Sequence, residues 1–401
     1  MKKVTVIGGG VSGKAAALLA RKLGDTPEII NDGETLCLPA DSGLIVASPG
    51  VHPLRSPLYK AAAASQVEFI GEMEYGSRHF KGRIAAITGT NGKTTTTELT
   101  LFLLQKAGFD AVAAGNIGLP LSDVAALEKQ PDIAVVEVSS FQLELIDTFR
   151  PEAAVLLNLE SDHEDRYAGG FAEYCAVKKK IFNALPEDKC IWGLSFPEKK
   201  RRVDYKGDML TIDGQEILDV ASTALSAPHN RENLAAAVEL FIRFAPEKTA
   251  LLPDAVKEFR CGKHRIEFFC EKRGIRFYDD SKGTNPSAVA AAIKSVPGQV
   301  ILLAGGLDKG MDFSILATVA DRVRQVVLYG QCREPIGRIF KKAGVPVAEC
   351  GTDFELAVET AIASAQKGDT VLLSPGCASM DMFKNYQERG EKFKEIVCRK
   401  I

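Results

Sequence analysis

The chain has 401 residues, of which 46% are hydrophobic and 25% charged, with a formal net charge of −2, the profile of an ordinary globular protein. That balance supplies no bulk attraction for nucleic acid or an anionic membrane, and no apolar run reaches the length of a bilayer span. Nine cysteines, odd in number and without C-x-x-C pairs, argue against a disulfide framework or a zinc ribbon and fit a cytoplasmic protein with reduced thiols.

The length predicts two to four domains. Met1-Lys2-Lys3-Val4 enters a strand at once, without the longer apolar region and cleavage site of a signal peptide. Val4–Ile7 reads as that strand, Gly8-Gly9-Gly10-Val11-Ser12-Gly13 as a turn, and Lys14–Leu23 as an Ala/Leu-rich helix. Gly8, Gly10 and Gly13 satisfy G-x-G-x-x-G in a strand-to-helix context, and Asp32 follows at about the distance of a ribose-binding acid. Alone, this predicts a dinucleotide-binding domain. However, a fresh phosphate-binding unit begins by residue 84, which leaves room for little more than one βαβαβ half. The same loop could cradle another diphosphate, such as that of a UDP-sugar, or the glycines could serve packing only.

Ile84–Ile87 reads as a buried strand, followed by Thr88-Gly89-Thr90-Asn91-Gly92-Lys93-Thr94-Thr95 and a helix start. Strand, Gly-rich turn with Gly-Lys-Thr, then helix is the P-loop arrangement, although Gly89 and Gly92 are separated by two residues rather than four. Lys93 would reach the β/γ-phosphates of a nucleotide and the Thr94 hydroxyl would hold Mg²⁺. Ala113–Pro120 makes a polar turn after a short strand. Ile133–Val138 is an apolar run interrupted by Glu137, placed as a Mg²⁺ ligand would be. Another strand, Ala153–Asn158, leads into Glu160-Ser161-Asp162-His163-Glu164-Asp165-Arg166-Tyr167, where His163 is a candidate second metal ligand. Phe171–Phe182 reads as a helix carrying Lys178, Lys179 and Lys180. If one turned inward near Mg²⁺, its amine would lose its proton more readily and could take up CO₂ as a carbamate. Residues 203–217 read as a hairpin, Leu234–Phe244 as a helix opened by Ala227–Asn233, and Pro253–Phe259 as a short helix.

From residue 261 on, an entry strand near Lys263–Phe269 precedes Ile275–Asp280 and the polar Ser281-Lys282-Gly283-Thr284-Asn285-Pro286. Three further strands, Val300–Ala304, Val326–Tyr329 and Val371–Leu373, alternate with helices, which predicts a doubly wound sheet. No second P-loop occurs, so this part is expected to supply substrate groups.

Taken together, Thr88–Thr95, Gly115-Asn116-Ile117-Gly118, Glu137–Glu144, Asp162–Tyr167, His229-Asn230 with Asn233, His264-Arg265-Ile266-Glu267 and Asp280–Asn285 resemble, in order and spacing, the Mur ligases of peptidoglycan synthesis across the whole chain. The Rossmann-like start with Ile45–Gly50, and above all Leu373–Tyr386 with Arg389-Gly390, is most similar to the family's D-glutamate-adding members. The resemblance implies an α/β chain of three domains. These are a Rossmann-like UDP-substrate domain over 1–80, a central P-loop ATP-binding domain over 81–260 and a Rossmann-like amino-acid-binding domain over 261–401.

It also implies an ATP-dependent ligase that joins D-glutamate to UDP-N-acetylmuramoyl-L-alanine through an acyl phosphate with two Mg²⁺ ions; a monomer is the default expectation. By the same resemblance Lys93, His163 and Lys178 are catalytic, with Lys178 carbamylated, and Thr94, Glu137, His163 and Lys178 hold metal. Gly89, Asn91, Gly92, Lys93, Thr94, Thr95, Asn230, Asn233, Arg265 and Asp280 line the ATP site. Val11, Ser12, Asp32, Asn116, Ser139 and Gln142 face the UDP substrate, and Thr284, Lys309, Ser379 and Tyr386 face D-glutamate. The hairpin region is short for the family. Alternatives are a ligase of this family with another amino acid or a folate substrate, a non-catalytic nucleotide-sugar binder, and a dehydrogenase. The Rossmann-like start argues against a folate, and the intact Lys93, Glu137, His163 and Lys178 set argues against a pure binder.

Overall fold

Short runs of valine, isoleucine and alanine become parallel strands, because such runs can be buried on both faces, and the glycine-bearing segments after them become turns into helices. The computed structural model describes all residues except 36, 163–165, 224, 227, 261, 308 and 309, and except the side chains of 228 and 229. His163 and Lys309 therefore lie outside the described residues. The chain divides into two compact units, the first running essentially to Arg260 and the second onward from there.

The first unit opens with β1 (Lys3–Ile7), α1 (Val11–Lys22), β2 (Thr26–Ile30), β3 (Leu44–Ala47), α2 (Pro57–Ala64), β4 (Phe69–Gly71) and α3 (Glu72–His79). The strands form a four-stranded parallel sheet, β2-β1-β3-β4. Then come β5 (Arg83–Thr88), α4 (Lys93–Lys106), β6 (Ala111–Gly115), α5 (Leu121–Ala125), β7 (Ile133–Glu137), α6 (Ser140–Glu144), β8 (Ala153–Leu156), α7 (Gly170–Lys179) and β9 (Cys190–Trp192). They build a five-stranded parallel sheet, β6-β7-β5-β8-β9. The expected hairpin is a three-stranded antiparallel sheet of β10 (Val203–Lys206), β11 (Met209–Ile212) and β12 (Gln215–Asp219), because Asp213-Gly214 turns the chain back once more. Helix α8 (Pro228–Phe244) starts earlier than the apolar pattern suggested, and α9 (Leu252–Glu258) closes the unit. A single core, holding Val4 and Val6 of the first sheet and Ala86 and Val136 of the second, runs through Met73, Tyr75, Leu121 and Val124 on α3 and α5.

The second unit holds β13 (Glu267–Lys272), β14 (Ile275–Asp279), α10 (Pro286–Ser295), β15 (Val300–Gly306), β16 (Val323–Gly330), α11 (Arg333–Lys342), β17 (Val347–Glu349), α12 (Phe354–Ser364), β18 (Thr370–Leu373) and α13 (Tyr386–Lys400). Its six-stranded sheet runs β13-β14-β18-β15-β16-β17, parallel except for the antiparallel edge strand β13. The short edge strand β17 was not visible in the apolar pattern, since its three residues are not fully buried. Two cores, on opposite faces, sandwich this sheet. Among the described residues no cysteine is disulfide-bonded, and no helix is long and apolar enough to cross a membrane.

One acid is buried inside the shared core of the first unit. Glu72 accepts the Ser122 N–H at 2.8 Å through Oε1, while Oε2 has no hydrogen-bond partner among the described residues. Burial pushes its carboxyl up to about 7 from an ordinary 4.5. The folded chain thus keeps a proton that the unfolded chain releases, so Glu72's contribution to stability falls as pH rises from about 4.5 through about 7. Glu72→Gln should flatten that dependence and add roughly 1–3 kcal/mol of stability above about pH 7. Urea unfolding at acidic and alkaline pH checks this. An unchanged pH slope in the variant would show that another group carries it.

Candidate active site

Two loops at the carboxyl ends of β5 and β7 build the centre of the first unit, where parallel sheets place their ligands. Between β5 and α4, Gly92 is in the left-handed region at φ 82° and caps α4. A Cβ there would also stand 2.1 Å from Asn233 Oδ1 on α8. Both the backbone conformation and this close approach demand glycine. The loop is held by the segment that follows β8 and by α7. Asn158 Oδ1 accepts the Asn91 N–H at 2.8 Å, the Asn91 amide donates to Glu160 at 2.9 Å, and Thr90 Oγ1 lies 3.0 Å from the Tyr174 hydroxyl. The Lys93 ammonium folds onto the loop, donating to the carbonyls of Thr90 at 2.8 Å and Gly89 at 3.0 Å.

Beside the loop, Glu137 ends β7 and is only 2% exposed. Its Oε2 accepts the Thr94 hydroxyl at 2.6 Å and its Oε1 accepts the Asn116 amide at 2.7 Å. Lys178, also 2% exposed, reaches in from α7 and donates to the Gly89 carbonyl at 2.8 Å, with its Nζ 4.9 Å from the Tyr174 ring centroid. Of its two neighbours, Lys179 is exposed and Lys180 donates to the Glu144 carbonyl at 3.0 Å. Only Lys178 of the three is buried against the P-loop.

In the first sheet the turn from β1 into α1 is built differently. The N-terminus of α1 has Gly10 as its cap, no side-chain cap and no acid in its first turn. Val11 stands 74% exposed there. Gly13 packs α1 onto β1 so tightly that a Cβ would lie 1.8 Å from the Gly8 carbonyl. Free N–H groups at a helix start favour a phosphate. Asp32 uses Oδ1 to accept the Ser56 hydroxyl at 2.9 Å, which ties it to the start of α2.

In the second unit, the loop after β14 and the loop after β18 are joined. The Ser374 hydroxyl donates to Asp280 Oδ2 at 2.6 Å, the Ile266 N–H donates to Asp280 Oδ1 at 3.2 Å, and the Gly376 N–H donates to the Gly283 carbonyl at 2.8 Å. Burial pushes the Asp280 carboxyl up to about 7, opposed by the Ser374 hydroxyl and the Arg265 charge. Tyr386, at the start of α13, lies near His264 and under the Lys282 ammonium. His264, Glu267 and Asp279 bring one ligand atom each within 4.8 Å of one another, a group able to hold a metal ion. Here the Lys394 ammonium supplies the positive charge, 2.7 Å from Glu267 and 3.5 Å from Asp279, and His264 Nδ1 lies 2.6 Å from Asp279.

Comparison with known proteins decides what this geometry serves. The family model described as the Mur ligase middle domain matches residues 87–195, and that of the Mur ligase glutamate ligase domain matches 264–377. The UDP-N-acetylmuramoylalanine–D-glutamate ligase of Acidobacterium capsulatum is 37% identical, covering 99% of this chain and 96% of that protein. The same enzyme of Caldanaerobacter subterraneus is 39% identical over 88% and 83%. The chain belongs to the Mur ligase family. A solved structure, the UDP-N-acetylmuramate-alanine ligase MurC of Thermotoga maritima, shares the fold with a TM-score of 0.64 at 17% identity, covering all of both chains. As a Mur ligase, the chain is an ATP-dependent enzyme that forms amide bonds. The alignment with the Acidobacterium ligase spans 447 positions, so that relative carries segments with no counterpart in these 401 residues.

Within this Mur ligase the sequence-expected residues fall into four groups. Gly89, Asn91, Gly92, Lys93, Thr94, Glu137, Asn116 and Lys178 meet around one loop, with Thr95 buried in the first turn of α4. Asn230 and Asn233 back that loop from α8, and Asn233 Oδ1 accepts from Thr96 at 3.3 Å. Ser139 and Gln142 are spent largely on each other in a capping box at the start of α6. Ser12 lies in the first turn of α1, beside Val11. In the second unit, Asp280 shares the loop after β14 with Thr284, Arg265 acts on Asp280 through its charge, and buried Ser379 sits on the loop after β18. Asn158, Tyr174 and Glu160 brace the P-loop without having been singled out. The signal available was a polar residue ending an apolar strand, Leu157-Asn158.

Gly92→Ala should cost about 1–3 kcal/mol of stability and depress ATP-dependent phosphate release at least about tenfold. Adding Asn233→Ala should return part of the stability, because it removes the clash and leaves only the φ penalty. Thermal unfolding of the single and double variants tests the contact; no recovery in the double variant would dismiss it.

Proposed function

We propose that this Mur ligase joins D-glutamate to UDP-N-acetylmuramoyl-L-alanine with hydrolysis of ATP to ADP and phosphate. The observation that carries the reading is near-full-length similarity to ligases of that name, together with a P-loop whose Thr94, Glu137 and Lys178 converge. In the first half-reaction a carboxylate oxygen of the alanyl group attacks the γ-phosphorus of ATP. ADP leaves and an acyl phosphate remains. The D-glutamate nitrogen then attacks the acyl carbon, the nitrogen loses a proton, and phosphate leaves with the bonding electrons.

The chain's own groups serve this by placement and charge. The P-loop N–H groups and Lys93 hold the β- and γ-phosphates, with Lys93 released from the Gly89 and Thr90 carbonyls it now occupies. Thr94 and Glu137 form a hard-oxygen donor pair suited to Mg²⁺, and a carbamate on Lys178 would add a second anionic ligand beside it. Bound there, Mg²⁺ would neutralise phosphate charge. His163 is proposed as a further ligand. The free N-terminus of α1 suits the UDP diphosphate, with Val11, Ser12 and Asp32 beside it. On the second unit Thr284, Lys309, Ser379 and Tyr386 are proposed to hold D-glutamate, with the Lys309 ammonium paired to a carboxylate. No bulk charge calls for nucleic acid, and a monomer suffices for this chemistry.

Phosphate release with ATP, Mg²⁺ and UDP-N-acetylmuramoyl-L-alanine should require D-glutamate and fail with L-glutamate, L-lysine or diaminopimelate. Release with a different amino acid would keep the family chemistry and reject the acceptor. Lys178→Ala should lose at least about a hundredfold in turnover and regain part of it with added formate or acetate, while Lys179→Ala stays near the parent rate. The reverse pattern would move the carbamate to Lys179.

A further inference from the structure

Arg389 is the largest of the fully buried side chains, with 0% exposure, and it sits in the first turn of α13. Its fork makes three hydrogen bonds to neutral acceptors. Nε donates to Ser281 Oγ at 2.9 Å, Nη2 to the Ser281 carbonyl at 2.7 Å, and Nη1 to the Cys377 carbonyl at 3.2 Å. The Ser281 hydroxyl passes the chain on, donating to the Tyr386 carbonyl at 2.8 Å. Among the described residues no carboxylate forms an ion pair with it.

A buried guanidinium without a counter-ion is costly, and an apolar side chain of similar volume would fill the same space without that cost. Packing therefore does not explain an arginine here. What a rigid five-donor fork does uniquely is fix several acceptors in one plane. The acceptors belong to the loop after β14, which carries Asp280 and Thr284, and to the loop after β18, which carries Ser379. A third tie reaches Tyr386. The two loops are also bonded to each other above this fork, through Gly376 N–H to the Gly283 carbonyl and Ser374 to Asp280.

We infer that Arg389 is a positioning residue for the amino-acid end of the reaction. It holds both loops in the register at which Thr284, Ser379 and Tyr386 receive the incoming amino acid. The inference rests on the proposed D-glutamate pocket for its substrate, and on the hydrogen bonds alone for its mechanism. Arg389 does not touch substrate. Its effect passes through Ser281 and the Cys377 carbonyl.

The test uses the full chain with Arg389→Lys, which keeps the charge and loses the fork, and Arg389→Met, which keeps much of the volume. Steady-state phosphate release gives the KM of each substrate. Amide hydrogen exchange by mass spectrometry reads peptides covering 280–286 and 374–380. In Arg389→Lys the KM for D-glutamate should rise about tenfold or more, while that for the UDP precursor stays within about twofold. Arg389→Met should be worse than Arg389→Lys. Exchange should accelerate in the two loops and not in the strands β15 and β16.

An unchanged KM for D-glutamate with parental exchange in both loops would overturn the inference. So would a uniform rise of every KM with faster exchange across the whole unit, which marks a residue needed for general stability only. If the parent chain works with another amino acid, the acceptor reading falls, and the same KM split is measured with that amino acid. If it releases no phosphate at all, the exchange pattern alone decides the positioning role.

Discussion

Glu137 is the constraint around which the first unit's site is arranged. A carboxylate that is nearly inaccessible to water must be satisfied, and it is satisfied from two directions, by the first turn of α4 and by the turn after β6. Those bonds fix the P-loop helix relative to the sheet. Lys178 closes the same loop from α7 by bonding the Gly89 carbonyl. The cluster is therefore a set of hydrogen-bonded charges and dipoles held by strand ends. Such preorganisation is what a phosphoryl transfer followed by amide formation needs from a protein.

The second unit ties two loops together rather than bracing one. The loops after β14 and β18 are cross-linked by a hydroxyl, by a backbone amide and by one buried guanidinium. The acid at their junction, Asp280, is held well above the ordinary carboxylate range by burial. Charge is thus concealed beneath the loops. The His264, Asp279, Glu267 and Lys394 group does comparable work further along, tying α13 to the strands β13 and β14.

Much of this was legible in the residues. Gly-Lys-Thr after an apolar strand located the P-loop, and an acid ending a buried run located Glu137, because both signals are local and carry a chemical reason. The choice among three consecutive lysines was not local. It depended on which face of α7 meets the loop, and the structure buries Lys178 there. Asp32 and the Ser139–Gln142 pair illustrate the opposite difficulty. Their sequence context suggests ligand contacts, and polar side chains of this kind also bond locally: Ser139 and Gln142 form a capping box, and Asp32 accepts the hydroxyl of Ser56, the N-cap of α2. The third strand beside the expected hairpin and the edge strand β17 escaped because three to five partly exposed residues carry little periodicity. The bracing of the P-loop by Asn158 and Tyr174 is a long-range contact that no spacing rule encodes.

The core shared by the first two sheets has a consequence for how this chain can be cut. Met73, Tyr75, Leu121 and Val124 belong equally to the four-stranded and five-stranded sheets. Severing the chain near residue 80 would open that layer to water on both fragments, so neither piece retains a closed interior. The two sheets are therefore expected to melt together as a single cooperative body, and a fragment boundary that respects the packing falls at Arg260 instead. Four sheets along the sequence can still amount to fewer independently stable parts.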